Sequence, residues 1–185
     1  MTIRKLDAEE AQRAVPELAE ILLDCVAGGA SVSFMTDLSR AEAERFFWGV
    51  ADSVARGERA LIVAEDGARR PIGTVQVLLA MPPNQPHRAE IAKMLVHRDG
   101  RRRGLGTALM IAAEEEAFAA GRSLLVLDTV THGAGYHLYL RLGWHIAGEI
   151  PDFALWPDGR LCPTTVMWKR LGENVSDSGQ RRQGG

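Results

Sequence analysis

Cysteine is scarce in this chain, which contains two, Cys25 and Cys162, in 185 residues. Neither lies at a spacing that is typical of metal ligands, and a single pair does not make the disulfide framework of a small secreted protein. A chain of this length buries roughly 70% of its unfolded surface, so its fold requires neither a metal nor a disulfide. We therefore expect both cysteines to be reduced and to pack as small apolar side chains.

Long apolar runs are also absent. The longest one, around Val75–Met81, is far short of the ~20 residues that a membrane-spanning helix requires. The first residues carry several charges and show no apolar core of a signal peptide. We therefore expect a cytoplasmic protein that does not act at a membrane.

An excess of positive charge is missing as well. The 22 lysines and arginines are outweighed by 24 acidic residues, which leaves a formal net charge of −2 and no general attraction for nucleic acid. The 5 histidines are scattered along the chain, and His132 and His137 do not have the four-residue spacing of helical zinc sites. We therefore expect neither nucleic acid nor a metal ion as a partner.

What the chain does contain is the pattern of one mixed α/β domain, which we expect to cover residues 1–172. Capping boxes at Asp7 with Glu10 and at Ser39 with Glu42 mark two helix starts. Helices are predicted from Asp7 to the glycine pair at 28–29, from Ser39 to about Arg56, over Gly104–Ala120 and over Gly133–Leu142. Strands are predicted over Thr2–Leu6, Ala60–Glu65, Ile72–Leu79, Ala89–Val96, Leu124–Leu127, Trp144–Glu149 and Thr165–Lys169. The tail, residues 173–185, is too polar to pack and is expected to be disordered.

The most informative segment joins the strand Ala89–Val96 to the helix that begins at Gly104. A helix N-terminus offers unpaired N–H groups and about half a positive charge, so it favours anions. Glycines at 104 and 106 let a ligand approach the backbone, and arginines at 101, 102 and 103 add charge-assisted hydrogen bonds to phosphate oxygens. We call residues 101–107 the phosphate cradle and expect it to bind a diphosphate.

Two other phosphate-binding folds use a similar turn. A P-loop requires Gly-Lys-Ser/Thr, whereas Gly106 is followed by Thr107 and Ala108. A dinucleotide-binding oxidoreductase is the better alternative, because Gly104-Leu105-Gly106 lies between a strand and a helix and Asp128 follows about 20 residues later. Against it, Leu109 replaces the third glycine, and the turn lies late in the chain rather than in a first βαβ unit.

Two motifs make the chain resemble the GCN5-related N-acetyltransferase (GNAT) family over nearly all of its ordered length. The first is Met94-Leu95-Val96 followed by Arg101–Gly106, and the second is Leu138–Trp144 downstream. Other segments, among them Gly28–Val32 and Pro157–Leu161, are similar to the tabtoxin resistance acetyltransferase subfamily. The resemblance implies a single twisted, mostly antiparallel sheet of about six to seven strands, splayed at the strand that binds the cofactor, with helices on both faces.

The resemblance also implies which residues bind acetyl-CoA, the expected co-substrate. The main chain of the strand ending at Val96 would bond the pantetheine arm and the thioester carbonyl, and the phosphate cradle would bind the diphosphate. Many relatives place a pantetheine-binding asparagine where this chain has His132, which can also donate a hydrogen bond. The implied cofactor-binding residues are Met94, Leu95, Val96, Arg101, Arg102, Arg103, Gly104, Leu105, Gly106, Thr107 and His132.

Three residues are implied in the chemistry. Tyr139 matches the family's general acid, which protonates the departing thiolate of CoA. The amine must lose its proton, and Asp128 or Glu90 would accept it, directly or through a water. Asp128 is the preferred base, and His132 is a third candidate because histidine titrates near neutral pH.

The resemblance implies direct transfer of an acetyl group to an amine in a ternary complex. The acceptor site is expected between the loop Gly28–Leu38 and the segment after Gly148, with Phe34, Met35, Asp37 and Trp156 as its binding residues. The expected acceptor is a small-molecule primary amine, amino-acid-like or a β-lactam toxin. The alternative of another class is a non-catalytic module that senses acyl-CoA. A monomer and a homodimer are equally compatible with the residues.

Overall fold

The structure, a computed structural model, describes residues 1–172. Its strands are β1 (Thr2–Leu6), β2 (Arg59–Glu65), β3 (Pro71–Leu78), β4 (Arg88–Val96), β5 (Leu124–Val130), β6 (His145–Leu155) and β7 (Leu161–Arg170). Its helices are α1 (Ala8–Arg13), α2 (Val15–Ala27), α3 (Arg40–Ala55), α4 (Leu105–Ala119) and α5 (Ala134–Arg141). The tail for which disorder was predicted lies outside the described residues.

The seven strands form one sheet in the order β1-β2-β3-β4-β5-β7-β6. Neighbouring strands are antiparallel except β4 and β5, which are parallel. The expected single, mostly antiparallel sheet with helices on both faces is therefore confirmed. Within residues 1–172, no helix is long and apolar enough to cross a membrane.

A separate apolar core covers each face of the sheet. Because side chains alternate along a strand, Leu61 and Val63 of β2 pack with α1, α2 and α3, whereas Ala60, Ile62 and Ala64 pack with α4 and α5. The central strands are therefore apolar on both faces, as expected for a sheet between two helix layers. Both cysteines are free and buried, as their scarcity predicted.

The two predicted capping boxes are present. Asp7 accepts a hydrogen bond from the backbone of Glu10, and Ser39 accepts one from the backbone of Glu42. The single helix predicted after Asp7 is wrong, however, because the chain forms α1 and α2 with a break at Ala14. Proline in the first turn of α2 explains the break, since proline lacks the N–H that a continuous helix would use.

The last strands are longer than predicted. β6 runs to Leu155 rather than to Glu149, and β7 begins at Leu161 rather than at Thr165. β6 is an edge strand that is exposed along nearly its whole length, and its pairing with β7 shifts register twice. Such a strand shows little alternation between apolar and polar residues, which is why the sequence pattern ended too early.

The sheet is split between its two parallel strands. β4 pairs with β5 only through Arg88–Glu90, opposite Leu124–Val126. Beyond Glu90, β4 continues beside β3 and β5 continues beside β7. The two strands therefore diverge toward their C-terminal ends, and this gap positions the site described next.

Candidate functional site

A cleft of about 1070 Å³ opens where β4 and β5 diverge. One wall is the second half of β4, and the other is the end of β5 together with α5. The N-terminus of α4 lines the cleft, and so do the loop of residues 28–35 and the end of β6. These segments differ in chemistry, because the start of α4 offers backbone N–H groups and the loop and β6 offer aromatic and apolar side chains.

A β-bulge in β4 shapes the first wall. Ala92 pairs with Gln76 and Leu95 pairs with Thr74, so β4 contains one more residue than β3 between these pairs. Lys93, at the bulge, has a positive φ of 50°. A bulge interrupts regular pairing locally and redirects nearby side chains, and the pairing with β3 resumes at Leu95. Met94, Leu95 and Val96, predicted to bind the pantetheine arm, all line the cleft.

The phosphate cradle forms the N-terminus of α4. Gly104 is the N-cap and has a φ of 77°, which a residue with a Cβ adopts at a cost. The first turn contains no acidic side chain, and no side chain caps it within the described residues. The N–H groups of residues 105–107 are therefore available to an anion at the cleft.

Gly106 has a packing role in addition to the predicted one. A Cβ at this position would lie 3.0 Å from Cδ2 of Leu138 on α5 and 3.8 Å from Cε of Met94. The glycine therefore allows α4 to approach α5 closely, and it keeps the cleft open beside Met94. The prediction explained Gly106 by the approach of phosphate alone, because packing between helices is not visible in the sequence.

The three cradle arginines differ in their surroundings. Arg101 contacts Asp24 with 3.3 Å between Nη2 and Oδ2, and its Nε donates to the carbonyl of Val96 at 3.1 Å. Arg102 lines the cleft and has a positive φ of 59°. Arg103 is not among the lining residues, and it contacts the carbonyl of Asp99 at 3.5 Å. Arg102 is therefore the cradle arginine that faces the cleft without a partner among residues 1–172.

Asp24 on α2 holds this turn in place, and sequence reasoning missed it. Its side chain is 3% exposed and accepts hydrogen bonds from the backbone N–H of Arg98, at 2.9 Å, and from the guanidinium of Arg98. Burial alone raises the pKa of Asp24, but the hydrogen bonds from Arg98 outweigh it and hold the pKa below its ordinary value. The available signal was one acidic residue within the apolar run of residues 21–26.

Tyr139 lies on α5 and is 6% exposed. Its ring packs beside Trp144, with 6.0 Å between ring centroids, and Gly135 leaves room for it, because a Cβ there would lie 3.2 Å from Cε2 of the tyrosine. It lines the cleft. Burial, assisted by the negative charge of Asp128, raises the pKa of Tyr139 well above that of an ordinary phenol. The hydroxyl therefore retains its proton at neutral pH, as a proton donor must.

The two candidate carboxylates have different positions. Asp128, near the end of β5, is exposed and lines the cleft. Glu90 lies at the last pair that joins β4 to β5, forms an ion pair with Arg88 at 2.6 Å, and is not among the lining residues. The structure therefore brings Asp128, but not Glu90, into the same cleft as Tyr139.

His132 is exposed and does not line the cleft. Its backbone has a positive φ of 59°, and its ring stacks edge-on against Tyr136 with 5.1 Å between centroids. This packing directs the imidazole to Tyr136. Neither its predicted contact with the pantetheine arm nor a role as a base receives support from this position.

The predicted acceptor end is assembled from distant segments. The hydroxyl of Ser31 donates to the carbonyl of Leu155 at 2.7 Å, and the N–H of Thr36 donates to the carbonyl of Pro157 at 3.2 Å. These bonds join the loop of residues 28–38 to the turn between β6 and β7. Of the predicted acceptor-site residues, Phe34, Met35 and Trp156 line the cleft and Asp37 does not.

Lys93 also lines this part of the cleft, and sequence reasoning missed it. Its Nζ lies 3.1 Å from the hydroxyl oxygen of Ser33. Burial lowers the pKa of Lys93, whereas the charge of Asp128 opposes that change. The available signal was a single basic residue within the apolar strand of residues 91–96. Within residues 1–172, no group of three or more histidine, cysteine or acidic residues is arranged to hold a metal ion.

Comparison with known protein families identifies one match. The model of the acetyltransferase (GNAT) family matches residues 16–144. The matched segment contains the split strands, the phosphate cradle and α5. It therefore includes the part of the cleft that contains Tyr139 and Asp128.

Several solved structures have a similar fold. Ribosomal-protein-alanine N-acetyltransferase from Brucella melitensis is 20% identical with a TM-score of 0.77, over 92% of this chain and 100% of that one. The putative acetyltransferase yncA from Salmonella typhimurium, solved with acetyl-CoA, is 19% identical with a TM-score of 0.75, over 97% of this chain and 99% of that one. A GNAT phosphinothricin acetyltransferase from Sinorhizobium meliloti, also solved with acetyl-CoA, is 21% identical with a TM-score of 0.74, over 97% of this chain and 92% of that one. At sequence identities this low, the similarity shows a shared fold and no more.

Proposed function

Because the chain belongs to the acetyltransferase (GNAT) family, we propose that it transfers an acetyl group from acetyl-CoA to a primary amine of a small molecule. Acetyl transfer from acetyl-CoA is the chemistry of the family, and the nature of the acceptor is our proposal. The observation that carries it is one cleft that contains an anion-binding helix end, a buried proton-bearing tyrosine and an exposed carboxylate. Family membership replaces the alternative of a dinucleotide-binding oxidoreductase.

The residues at the cradle end fit acetyl-CoA. The uncapped N–H groups at the start of α4 and the side chain of Arg102 are suited to a diphosphate. Residues 94–96, which follow the bulge at Lys93, line the cleft, and in our proposal their backbone bonds the pantetheine arm. When bound, acetyl-CoA supplies an activated thioester carbonyl.

Two side chains supply the proton transfers in our mechanism. The carboxylate of Asp128 binds the ammonium of the acceptor and takes its proton, which leaves a neutral nitrogen able to attack. The hydroxyl of Tyr139 donates a proton to the departing sulfur, and it regains one from the acylated nitrogen, which must lose a second proton to become a neutral amide. Each proton transfer typically contributes 10²–10⁴-fold, and holding the two reactants together contributes roughly 7–11 kcal/mol. Neither cysteine is needed as a nucleophile, so transfer is direct.

The acceptor end suits a small amine with an apolar part. Phe34, Met35 and Trp156 provide apolar walls, and Asp128 provides negative charge for a cationic amine. The resemblance to the tabtoxin resistance subfamily suggests an amino-acid-like or β-lactam toxin as the acceptor. A similar fold in phosphinothricin acetyltransferases is consistent with this suggestion.

Calorimetric titration with acetyl-CoA, with NADH as a control, tests whether the protein binds the co-substrate. A screen of free amines for release of the CoA thiol tests whether it transfers the acetyl group to an amine. We expect micromolar binding of acetyl-CoA, no binding of NADH, and thiol release with one class of amines. Binding without release on any amine would instead support a module that senses acyl-CoA.

A further inference from the structure

Lys93 differs from the other lysines of the chain in its lack of an acidic partner. The sequence contains lysine at positions 5, 93 and 169, all within the described residues. Lys5 forms an ion pair with Glu116 at 2.7 Å, and Lys169 forms one with Glu114 at 2.6 Å. Lys93 forms no ion pair within residues 1–172, and its polar contact is the hydroxyl of Ser33. It is therefore a cation that an incoming anion can still bind.

The fold restrains both residues of this contact, Lys93 and Ser33. Lys93 and Ser33 both have positive φ values, 50° and 78°, which are disfavoured for residues that carry a Cβ. Such conformations persist where surrounding structure enforces them, and they cluster at binding sites. The ring of Phe46 lies 6.0 Å from the ammonium and shields one side of it. The lysine is therefore held at the wall of the cleft rather than extended into solvent.

Asp128 and Lys93 present opposite charges from the two strands that diverge. Asp128 is close enough for its charge to raise the pKa of Lys93, but the two do not form an ion pair. Burial makes the charged ammonium unfavourable, and a bound anion would offset that cost with a charge-assisted hydrogen bond. A ligand with one positive and one negative group would satisfy both walls of the cleft together.

Building on the acetyl transfer proposed above, we infer that Lys93 and Ser33 bind a carboxylate of the acceptor while Asp128 binds its amine. The acceptor is then an amino acid with a free acid group. Lys93 is a specificity-determining residue in this arrangement, and it takes no part in the proton transfers. The hydroxyl of Ser33 orients the ammonium and donates a second hydrogen bond to the carboxylate.

Matched pairs of acceptors test this inference. The protein-forming L-amino acids, β-alanine and γ-aminobutyrate are each compared with their carboxamides, which keep the amine and remove the negative charge. The ratio of kcat/KM for acid over amide should be roughly 10 to 100 in the unmodified enzyme, because the amide keeps an acceptor oxygen but loses the negative charge that pairs with the ammonium. Calorimetric titration of the same pairs into CoA-saturated protein should show the same preference without turnover.

Variants at position 93 separate charge from packing. Lys93→Met retains the length and the Cβ of the side chain, and the ratio of acid to amide should fall to about 1. Lys93→Arg should retain a preference for the acid, and Ser33→Ala should reduce that preference by about threefold to tenfold. Lys5→Met is the matched control, because Lys5 lies outside the cleft, and it should leave the ratio unchanged.

The outcomes distinguish this inference from the proposed function. Equal use of acids and amides, or an unchanged ratio in Lys93→Met, would overturn the carboxylate site while leaving acetyl transfer intact. Acetylation of Lys93 itself, detected by mass spectrometry after incubation with acetyl-CoA, would also overturn it, because the ammonium would then be an acceptor. Failure to acetylate any amine would contradict both proposals.

Discussion

At the residue scale, the chemistry depends on two side chains whose surroundings differ. Tyr139 is buried against Trp144, and burial keeps its hydroxyl protonated. Asp128 is exposed and lines the same cleft. A buried donor and an exposed acceptor are suited to opposite proton transfers, because burial disfavours the charged form of a phenol and an exposed carboxylate can be reached by the amine.

Replacement of Tyr139 by phenylalanine tests the proton donor. We expect Tyr139→Phe to lower kcat by about 10²–10³-fold, because the departing sulfur loses its proton source, while calorimetric affinity for acetyl-CoA stays the same. Tyr136→Phe on the same helix is the control, since Tyr136 is buried but does not line the cleft. Unchanged turnover in Tyr139→Phe would remove this residue from the mechanism.

The pH profile of the unmodified enzyme checks the same residue. The pKa of Tyr139 is raised, so the phenol stays protonated below its ordinary pKa of about 10. We therefore expect no loss of kcat from Tyr139 between pH 7 and about 10, and a decline only at higher pH. A descending limb near neutral pH that is absent in Tyr139→Phe would contradict the burial argument.

A pair of amide substitutions distinguishes the two carboxylates. Asp128→Asn should lower kcat/KM by about 10²–10³-fold, because the amide can neither take the proton nor attract the ammonium. Glu90→Gln should lower it less than about tenfold, because Glu90 is paired with Arg88 outside the cleft. Steady-state kinetics on the best acceptor provide the comparison. An equal loss in both variants would indicate that Glu90 acts through a water.

At the scale of elements, the phosphate cradle depends on a helix that lies far from it in sequence. Asp24 on α2 accepts hydrogen bonds from the backbone and side chain of Arg98 and contacts Arg101. These contacts attach the turn before α4 to the helix layer on one face of the sheet. The N-terminus of α4 is consequently held in a fixed orientation at the cleft.

Substitution of Asp24 should therefore weaken the fold in a pH-dependent manner. Its pKa is lower in the folded chain than in the unfolded chain, so its stabilising effect is complete above the ordinary value of about 3.9 and is lost as pH falls through the lower folded value. We expect Asp24→Asn to reduce the free energy of unfolding by about 1–2 kcal/mol at pH 7, because its arginine partners are partly exposed. The difference from the unmodified protein should shrink below about pH 4.

Urea unfolding of Asp24→Asn and of the unmodified protein, at pH 7 and below about pH 4, measures this difference in the free energy of unfolding. Asp99→Asn in the same turn is the control, because the side chain of Asp99 is 64% exposed, and its cost should stay below about 0.5 kcal/mol. A destabilisation of Asp24→Asn that is the same at pH 7 and in acid would show that its charge is not what stabilises the turn.

At the scale of the whole molecule, the two apolar cores are separated by a sheet that is incomplete in its middle. β4 and β5 pair along three residues each and then diverge. A ligand that lies in this gap contacts both halves of the sheet and binds only the folded chain. Its binding energy therefore adds to the stability of the fold.

Thermal unfolding tests this consequence. Acetyl-CoA at about 100 times its Kd should stabilise the fold by about 2.7 kcal/mol, which raises Tm by roughly 5–10 °C for a domain of this size. Scanning fluorimetry against a titration of acetyl-CoA, with NADH as the control, provides the measurement. An equal shift with NADH, or no shift with acetyl-CoA, would contradict binding in the gap.

The sequence by itself determined the features that arise from neighbouring residues. The capping boxes at Asp7 and Ser39, the helix N-terminus at Gly104 and the succession of strands and helices all depend on interactions within a few positions of the chain. The family motifs lie in such local segments too, and the family that they predicted is confirmed by the family model. The break at Ala14 and the length of the edge strand β6 were missed, because the helical periodicity continued across the break and an exposed edge has little periodicity.

Only the tertiary structure decided which side chains share the cleft. Asp128 faces it and Glu90 does not, although both lie on strands beside the gap. Lys93 reaches it because a bulge, set by pairing with β3, adds one residue to β4. Arg101 is partly engaged by Asp24 from a different face of the sheet. These outcomes depend on strand register and on contacts between residues far apart in sequence, which no local pattern of residues specifies.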